Sequence, residues 1–404
     1  MAGNSFPAIS VFKKRKSFRC GLMFFSFVHG ILAGPFTFMK KMAEEIVLRC
    51  AMARAFLYRP QSARILMEKY GSVECIYENR REEMSGAGEL LKEAFASENL
   101  KWAEEEVEWC SQKGVKLLFN ADAGYPTLLQ ECNDAPFMLY YKGTAKLDNP
   151  RCISVVGTRL ASSYGKECCS RLMDHIAPFA PLVVSGLAYG IDIESHKCAL
   201  EQGLETVAVL PNGINLIYPS RHRNIAVEMT RHGGILTEFP RGTPPQRVNF
   251  IKRNRIIAAM SQALVVVESR VKGGSMITAE FAAGYNREIF AMPGRITDPN
   301  SFGCNYLISK NVASIYSSAS TIPSALGWSE EMTSEASLQP QLFSFDVEGK
   351  EKILLSLRSG KPMGIEAVSA ACGMDWGEAS MLLLELELEG KITVGDNMVY
   401  KIRR

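Results

Sequence analysis

Three glycine-bearing turns in this sequence combine residue types that could seat a phosphate. The first is Gly157-Thr158-Arg159, running on to Gly165. The second is Ser185-Gly186 through Tyr189-Gly190-Ile191-Asp192. The third is Arg270 through Lys272-Gly273-Gly274-Ser275 to Thr278. Each follows a short run rich in Val or Ile and opens helix-forming sequence. Such turns leave unpaired backbone N–H groups at a helix start, with the positive end of the helix dipole facing outward. Glycine has no Cβ, so a phosphate can approach the backbone closely. Arg159, Arg270 and Lys272 add full positive charge inside two of the turns. The competing structural reading is that the glycines only permit tight strand-to-helix bends.

What the turns lack narrows the kind of phosphate. A dinucleotide site needs GxGxxG after its first strand and an acid closing the second. Here Gly157 is followed only by Gly165, and the second run closes on Ser185-Gly186. No GxxxxGK[ST] occurs, which disfavours a P-loop nucleotidase. Two further basic loops are Tyr218-Pro219-Ser220-Arg221-His222-Arg223-Asn224 and Phe250-Ile251-Lys252-Arg253-Asn254-Arg255. A row of cations beside aromatic rings suits a single-stranded nucleic acid, whose backbone meets the charges and whose bases stack on the rings. Tyr218 and Phe250 are the candidate rings; burial in the core is the alternative for both. For Arg253 and Arg255 the alternative is packing at a helix start, with ion pairs to Glu268 or Glu280.

Catalytic and metal chemistry find little support. His196 stands four residues after Asp192, the spacing of a base oriented by a carboxylate, but a satisfied helical histidine that packs the turn is the favoured reading of that pattern. Ser185 is not in GxSxG, and Glu238 and Glu280 have no paired acid nearby in sequence. The five histidines form no HExxH, and the eleven cysteines include no CxxC, only the adjacent Cys168-Cys169. No catalytic residue, metal or cofactor is expected, and reduced thiols fit better than a disulfide framework.

These turns need elements to hold them. The 404 residues, 47% hydrophobic and 22% charged, suffice for two or three globular domains. Residues 41–115 carry helical periodicity and predict a small helical (SAM- or helix-hairpin-helix-like) domain. From residue 116 the period changes. Apolar runs at 115–119, 153–156, 181–184, 206–210, 234–237, 263–267 and 288–291 alternate with helical stretches at 163–177, 191–202, 222–231, 249–260 and 275–286. That alternation predicts an α/β fold, a Rossmann-like, doubly wound and mostly parallel sheet spanning 116–317. Residues 318–349, serine-rich, acidic and free of Lys and Arg up to 349, predict a linker. Three helices and a two-stranded ribbon over 350–404 predict a winged helix.

The net charge of +3 hides segregation: +6 over residues 1–40, −4 over 41–150, +6 over 151–316, −5 over 317–349 and zero thereafter. An anionic partner would dock on the basic middle block. The third winged-helix helix carries Glu378, Glu385, Glu387 and Glu389 with no cation before Lys391. It predicts a protein contact or simple packing, with Met381, Leu382, Leu384, Leu386 and Leu388 mostly core, since phosphates would be repelled. Residues 1–40 join Lys13-Lys14-Arg15-Lys16 to the apolar run 21–28. They read as sequence upstream of a start at Met39 or Met42, as a basic arm, or as a secretory signal.

Several ordered motifs together resemble the DNA-processing protein A family, DprA, also called Smf. They are Val155-Val156-Gly157-Thr158-Arg159, Val184 to Asp192, Arg253-Asn254-Arg255-Ile256-Ile257-Ala258 and Gly274-Ser275-Met276-Ile277-Thr278-Ala279. Tyr125-Pro126-Thr127-Leu128-Leu129, Leu139-Tyr140-Tyr141-Lys142-Gly143, Pro293-Gly294 and Gly303-Cys304-Asn305-Tyr306 add to the match. The resemblance implies a cytoplasmic protein, off the membrane, that binds single-stranded DNA and forms a homodimer through its Rossmann-like domain. It also implies loading of RecA recombinase onto incoming DNA in natural transformation, without catalytic turnover. The family's DNA-contacting arginine maps onto Arg159, and its basic loop residue onto Arg221 or Arg223, because Ser220 is uncharged. A second reading stays open: Gly273-Gly274-Ser275 with Thr278 and Glu280 is similar to the phosphate turn of nucleoside-monophosphate phosphoribohydrolases. A third is an interaction scaffold whose glycine turns are purely structural.

Overall fold

The computed structural model describes residues 35–81, 87–328, 347–357, 362–395 and 399–402. Residues 1–34, which hold most of the basic and apolar extension, lie outside the described residues, as do residues 82–86, 329–346 and the Asp396-Asn397 hairpin tip. The chain divides into two compact units, Met1–Glu331 and Met332–Arg404.

Among the described residues, the first unit opens with five helices: α1 (Pro35–Ala55), α2 (Pro60–Tyr70), α3 (Val73–Asn79), α4 (Gly88–Ala94) and α5 (Ser97–Lys113). Pro60 opens α2, where its missing N–H costs no hydrogen bond, and Gly71 closes it at φ +80°. Met52, Phe56, Leu66, Ile76 and Leu91 fill the space between the helices. Asn99 donates from Nδ2 to the carbonyls of Ala51 (3.0 Å) and Ala94 (2.7 Å), tying three helices together. The same apolar cluster continues into Tyr140, Ala208 and Ile235, so the helices sit on one face of the sheet.

The period change after Gly114 starts the sheet. Its elements are β1 (Lys116–Phe119), α6 (Thr127–Gln130), β2 (Met138–Gly143), β3 (Cys152–Val156), α7 (Ser163–Ile176), β4 (Leu182–Ser185), α8 (Ile191–Glu201), β5 (Thr206–Val209), α9 (Arg223–Met229), β6 (Gly233–Thr237), α10 (Arg247–Ala259), β7 (Ala263–Val266), α11 (Gly274–Gly284), β8 (Glu288–Ala291), α12 (Phe302–Ser309), β9 (Ser314–Ile315) and α13 (Thr321–Leu326). The strand order is β1-β2-β6-β5-β4-β3-β7-β8-β9. From β6 to β9 every pairing is parallel; β1 and β2 add an antiparallel edge. Strands β3 to β7 are buried along their length, which is why they read as continuous Val/Ile runs.

Two differences from the sequence reading have clear causes. Strand β2 carries no alternating pattern because both its faces are covered, with Leu139, Tyr140 and Tyr141 all buried. The linker was expected from residue 318, yet α13 follows, Ile322 is fully buried, and the Trp328 indole packs on Phe179 and donates to Gln262 Oε1 at 3.1 Å. Serine-rich composition hid two apolar anchors there.

The second unit contains α14 (Val347–Leu357), β10 (Met363–Gly364), α15 (Ile365–Cys372), α16 (Trp376–Leu388), β11 (Ile392–Gly395) and β12 (Val399–Ile402). Its sheet has three strands, β10-β12-β11, where the sequence suggested two. Asp375 caps α16, accepting from Gly377 N at 2.6 Å and Glu378 N at 3.2 Å. Ile353, Val368, Leu382, Leu383 and Leu386 form the core. Met381 and Leu384, expected inside, are exposed together with Trp376. Lys350 pairs with Glu385 and Glu389, both at 2.7 Å, so α16's acids are partly neutralised.

Candidate nucleic-acid interface

Strand β3 pairs with β4 on one side and β7 on the other. Chain order runs outward from β3 to β6 one way and from β7 to β9 the other, so the topological switch point lies between β3 and β7. Ligands of open α/β sheets bind at the carboxyl edge there. The three glycine turns leave β3, β4 and β7, three adjacent strands, at that edge. They are stitched to each other: Thr158 N donates to Glu268 O at 2.7 Å, and Ile191 N donates to Thr158 O at 3.1 Å. Gly190 sits at φ +79°, and a Cβ on it would stand 2.1 Å from Thr158 O, so glycine is required for the second turn to touch the first.

The first turn lifts Arg159 into solvent while Gly157 and Thr158 are half-buried. The Arg159 guanidinium carbon lies 5.2 Å from the centre of the Phe250 ring. Tyr218 meets Phe250 edge-on at 5.9 Å and is 45% exposed. Burial in the core, the alternative weighed for these rings, therefore does not hold for Tyr218. Tyr189, at the tip of the second turn, is 44% exposed and meets the His222 ring edge-on at 4.9 Å. Sequence reasoning quoted Tyr189 without giving it a role; an aromatic at the tip of a glycine-flanked turn was the available signal.

The helix starts differ in openness. At α7 the protein's own buried Glu268 carboxylate fills the anion position, accepting from Ser162 N at 2.9 Å and Ser162 Oγ at 2.6 Å. At α8 the Ile191 and Ile193 N–H groups are taken by Thr158 O and Ala188 O, and in the preceding turn Asp192 Oδ2 accepts from Ala188 N at 3.3 Å. At α11 Gly274 is exposed and a Cβ there would meet nothing within 4 Å. Arg270 and Lys272 are exposed beside it, and Gly273 is half-buried.

Several candidates face inward. Ser185 is fully buried and donates to Val155 O at 2.6 Å. A Cβ on Gly186 would fall 2.2 Å from Arg253 Nη1, so its missing side chain makes room for an arginine rather than a phosphate. Arg253 is 3% exposed and its Nη1 donates to Gly186 O at 2.5 Å and Val209 O at 2.7 Å. Burial brings its pKa down to about 10, opposed by the Asp192 carboxylate, and it remains a cation at neutral pH. Asp192 is in turn pushed up by burial, with Arg253 opposing. Arg255 pairs with Glu238 and donates to Asp134 O; the partners expected from sequence, Glu268 and Glu280, are not involved. Asn254 is half-buried and accepts from Arg253 Nε at 3.1 Å. Ser275 donates to Ser269 Oγ at 2.7 Å, and Thr278, also buried, donates to Gly274 O at 3.4 Å. His222 is buried with Nδ1 2.8 Å from Leu187 O, holding the Tyr218 loop against the second turn.

His196 is enclosed, 2.6 Å from Thr206 Oγ1, and desolvation drives its pKa down to about 3. It is a core histidine with no access to substrate. Arg221 and Arg223 are exposed, Arg223 lining a cavity of about 640 Å³ with Trp109, Lys113 and Leu216. No Asp, Glu, His or Cys side chain lines that cavity. Among the described residues no group of three His, Cys, Asp or Glu side chains could hold a metal. No described helix is long and apolar enough to cross a membrane.

Fold and site together define a Rossmann-like α/β protein with a cationic, aromatic carboxyl edge and an appended winged helix. The chain belongs to the DNA recombination-mediator protein A family, which matches residues 116–327, and the DprA winged helix domain matches residues 339–396. Protein Smf of Escherichia coli (strain K12) is 32% identical over 323 residues, covering 78% of this chain and 86% of that one. DNA processing protein DprA of Bacillus subtilis (strain 168) is 36% identical over 207 residues, covering 51% and 70%. The X-ray structure of DNA processing protein A (DprA) from Streptococcus pneumoniae superposes with a TM-score of 0.56 at 28% identity, covering 68% of this chain and 95% of that one.

Proposed function

We propose that this protein binds single-stranded DNA along the carboxyl edge of its central sheet, without catalytic turnover. The observation that carries the reading is the solvent-facing Arg159 guanidinium over Phe250, with Tyr218 and Tyr189 exposed on the neighbouring loops. A cation beside accessible rings provides for both parts of an unpaired strand: phosphate for the guanidinium, base faces for the rings. Gly157, Thr158, Gly273, Gly274 and Lys272 flank the same path, and Arg221 and Arg223 supply its basic loop. The buried candidates Ser185, Gly186, His222, Arg253, Arg255, Ser275 and Thr278 act beneath it, fixing the shape of the turns, and half-buried Asn254 borders it. The likeness to DNA processing protein DprA of Bacillus subtilis supports a role in DNA processing, which this reading places in the cytoplasm, on incoming DNA. In this reading the protein works as a homodimer through its Rossmann-like domain and passes the strand to RecA recombinase during natural transformation.

The test is a titration of the full chain against single- and double-stranded oligonucleotides at several salt concentrations. Tighter binding of the single strand, weakening steeply with salt, is expected. No binding of either at low salt would overturn the reading and leave the turns as structural.

A further inference from the structure

The solvent face of α10 continues past Phe250. At about 100° per residue, the first two turns order Phe250, Asn254, Arg247, Ile251, Val248 and Lys252 around the helix, while Asn249 and Arg253 point inward and are buried. Val248 and Ile251 are both large exposed apolar residues, and Arg247 is exposed between them and Phe250. The band ends on a second ring. Lys252 Nζ lies 3.8 Å from the centre of the Tyr58 ring, on the segment joining α1 to α2, and Tyr58 is 53% exposed. That segment is fixed: Arg59 N donates to Phe56 O at 2.8 Å, and Phe56 is buried. Arg59 is exposed beside it. Glu238, the carboxylate whose charge acts on Lys252, is buried and taken by Arg255.

The α10 band therefore joins two cation-and-ring pairs, Arg159 with Phe250 and Lys252 with Tyr58, across the width of one helix. We infer that Tyr58 and Lys252 form a second base-stacking platform, on the helical module, that receives the continuation of the single strand held at Arg159. This rests on the single-strand reading above and extends it. An accessible ring stacks on any base, and the aliphatic Val248 and Ile251 offer apolar contact to the bases between the platforms.

The test compares the full chain with Tyr58→Ala, Tyr58→Phe and Arg159→Ala on oligothymidines of increasing length. On an oligomer of about five nucleotides, short enough to fill only the Arg159 side, Tyr58→Ala should match the parent. On one of about twenty it should bind roughly tenfold more weakly, with Tyr58→Phe restoring affinity, and 5-iodouracil near one end only should photo-cross-link to Tyr58. Equal affinity of Tyr58→Ala and parent at every length would overturn the inference and leave this patch to a protein partner. So would an equal loss at every length, which would report distortion of α10. If Arg159→Ala changes nothing at any length, the single-strand reading itself fails, and this one with it.

Discussion

Arg159 and Arg253 approach the same Phe250 ring, at 5.2 and 5.8 Å from its centre, yet one guanidinium is in solvent and the other is sealed beneath the turns. The ring separates a cation that can meet a ligand from one that can only hold backbone. This difference sets the expectations for both residues.

Arg159→Ala should weaken single-strand binding across sequences and flatten the slope of log affinity against log salt by about one. Its thermal midpoint should stay at the parent value, because the side chain is exposed. An unchanged salt slope would remove Arg159 from the interface.

Arg253→Met should act through stability. It leaves the Gly186 and Val209 carbonyls without their donor and Asp192 without its nearby cation. Breaking such a buried charged set costs about 3–5 kcal/mol, readable in a urea melt. The salt slope of whatever folded protein remains should equal the parent's.

Tyr218→Ala should cost about 1–3 kcal/mol of single-strand affinity, as for loss of one stacked base, and Tyr218→Phe should retain it. If Phe fails where Tyr works, the hydroxyl carries the contact and stacking does not.

His196 gives the fold an acid sensitivity. Its folded pKa, about 3, lies below the ordinary 6.5, so the unfolded chain takes up a proton the folded one refuses. Stability from this group is complete above the unfolded value and falls as pH drops toward the folded one, by about 1.4 kcal/mol per pH unit at the limit. The measurement is the urea midpoint at pH about 7.5 and about 5. His196→Gln should narrow the gap between the two, and an unchanged gap would assign the sensitivity elsewhere.

Trp376→Ala in the full chain should leave single-strand affinity and salt slope unchanged. Trp376 is exposed on α16, a helix that also exposes Glu378 and Glu387 and carries no cation, so that it repels phosphate. A weaker complex would put α16 on the DNA.

The sequence by itself determined most of the elements and where the glycine turns lie among them. Period and composition are local, so the Val/Ile runs, the helices between them and the glycine turns could be read directly. Turns that follow parallel strands collect at the carboxyl edge of an open sheet, but the order β4-β3-β7, which makes these three neighbours, is a property of the tertiary structure. Only the tertiary structure decided which cations face water. Arg253 and Arg255 stand in the same basic run as Lys252, but carbonyls of Gly186 and Val209 and the Glu238 carboxylate, all distant in sequence, draw those two inward. The same holds for Ser185 and His196, whose Oγ and Nδ1 meet Val155 O and Thr206 Oγ1 on strands brought alongside by folding. Burial depends on what packs opposite a residue, and that is set by contacts between segments far apart in the chain, where no local pattern records it.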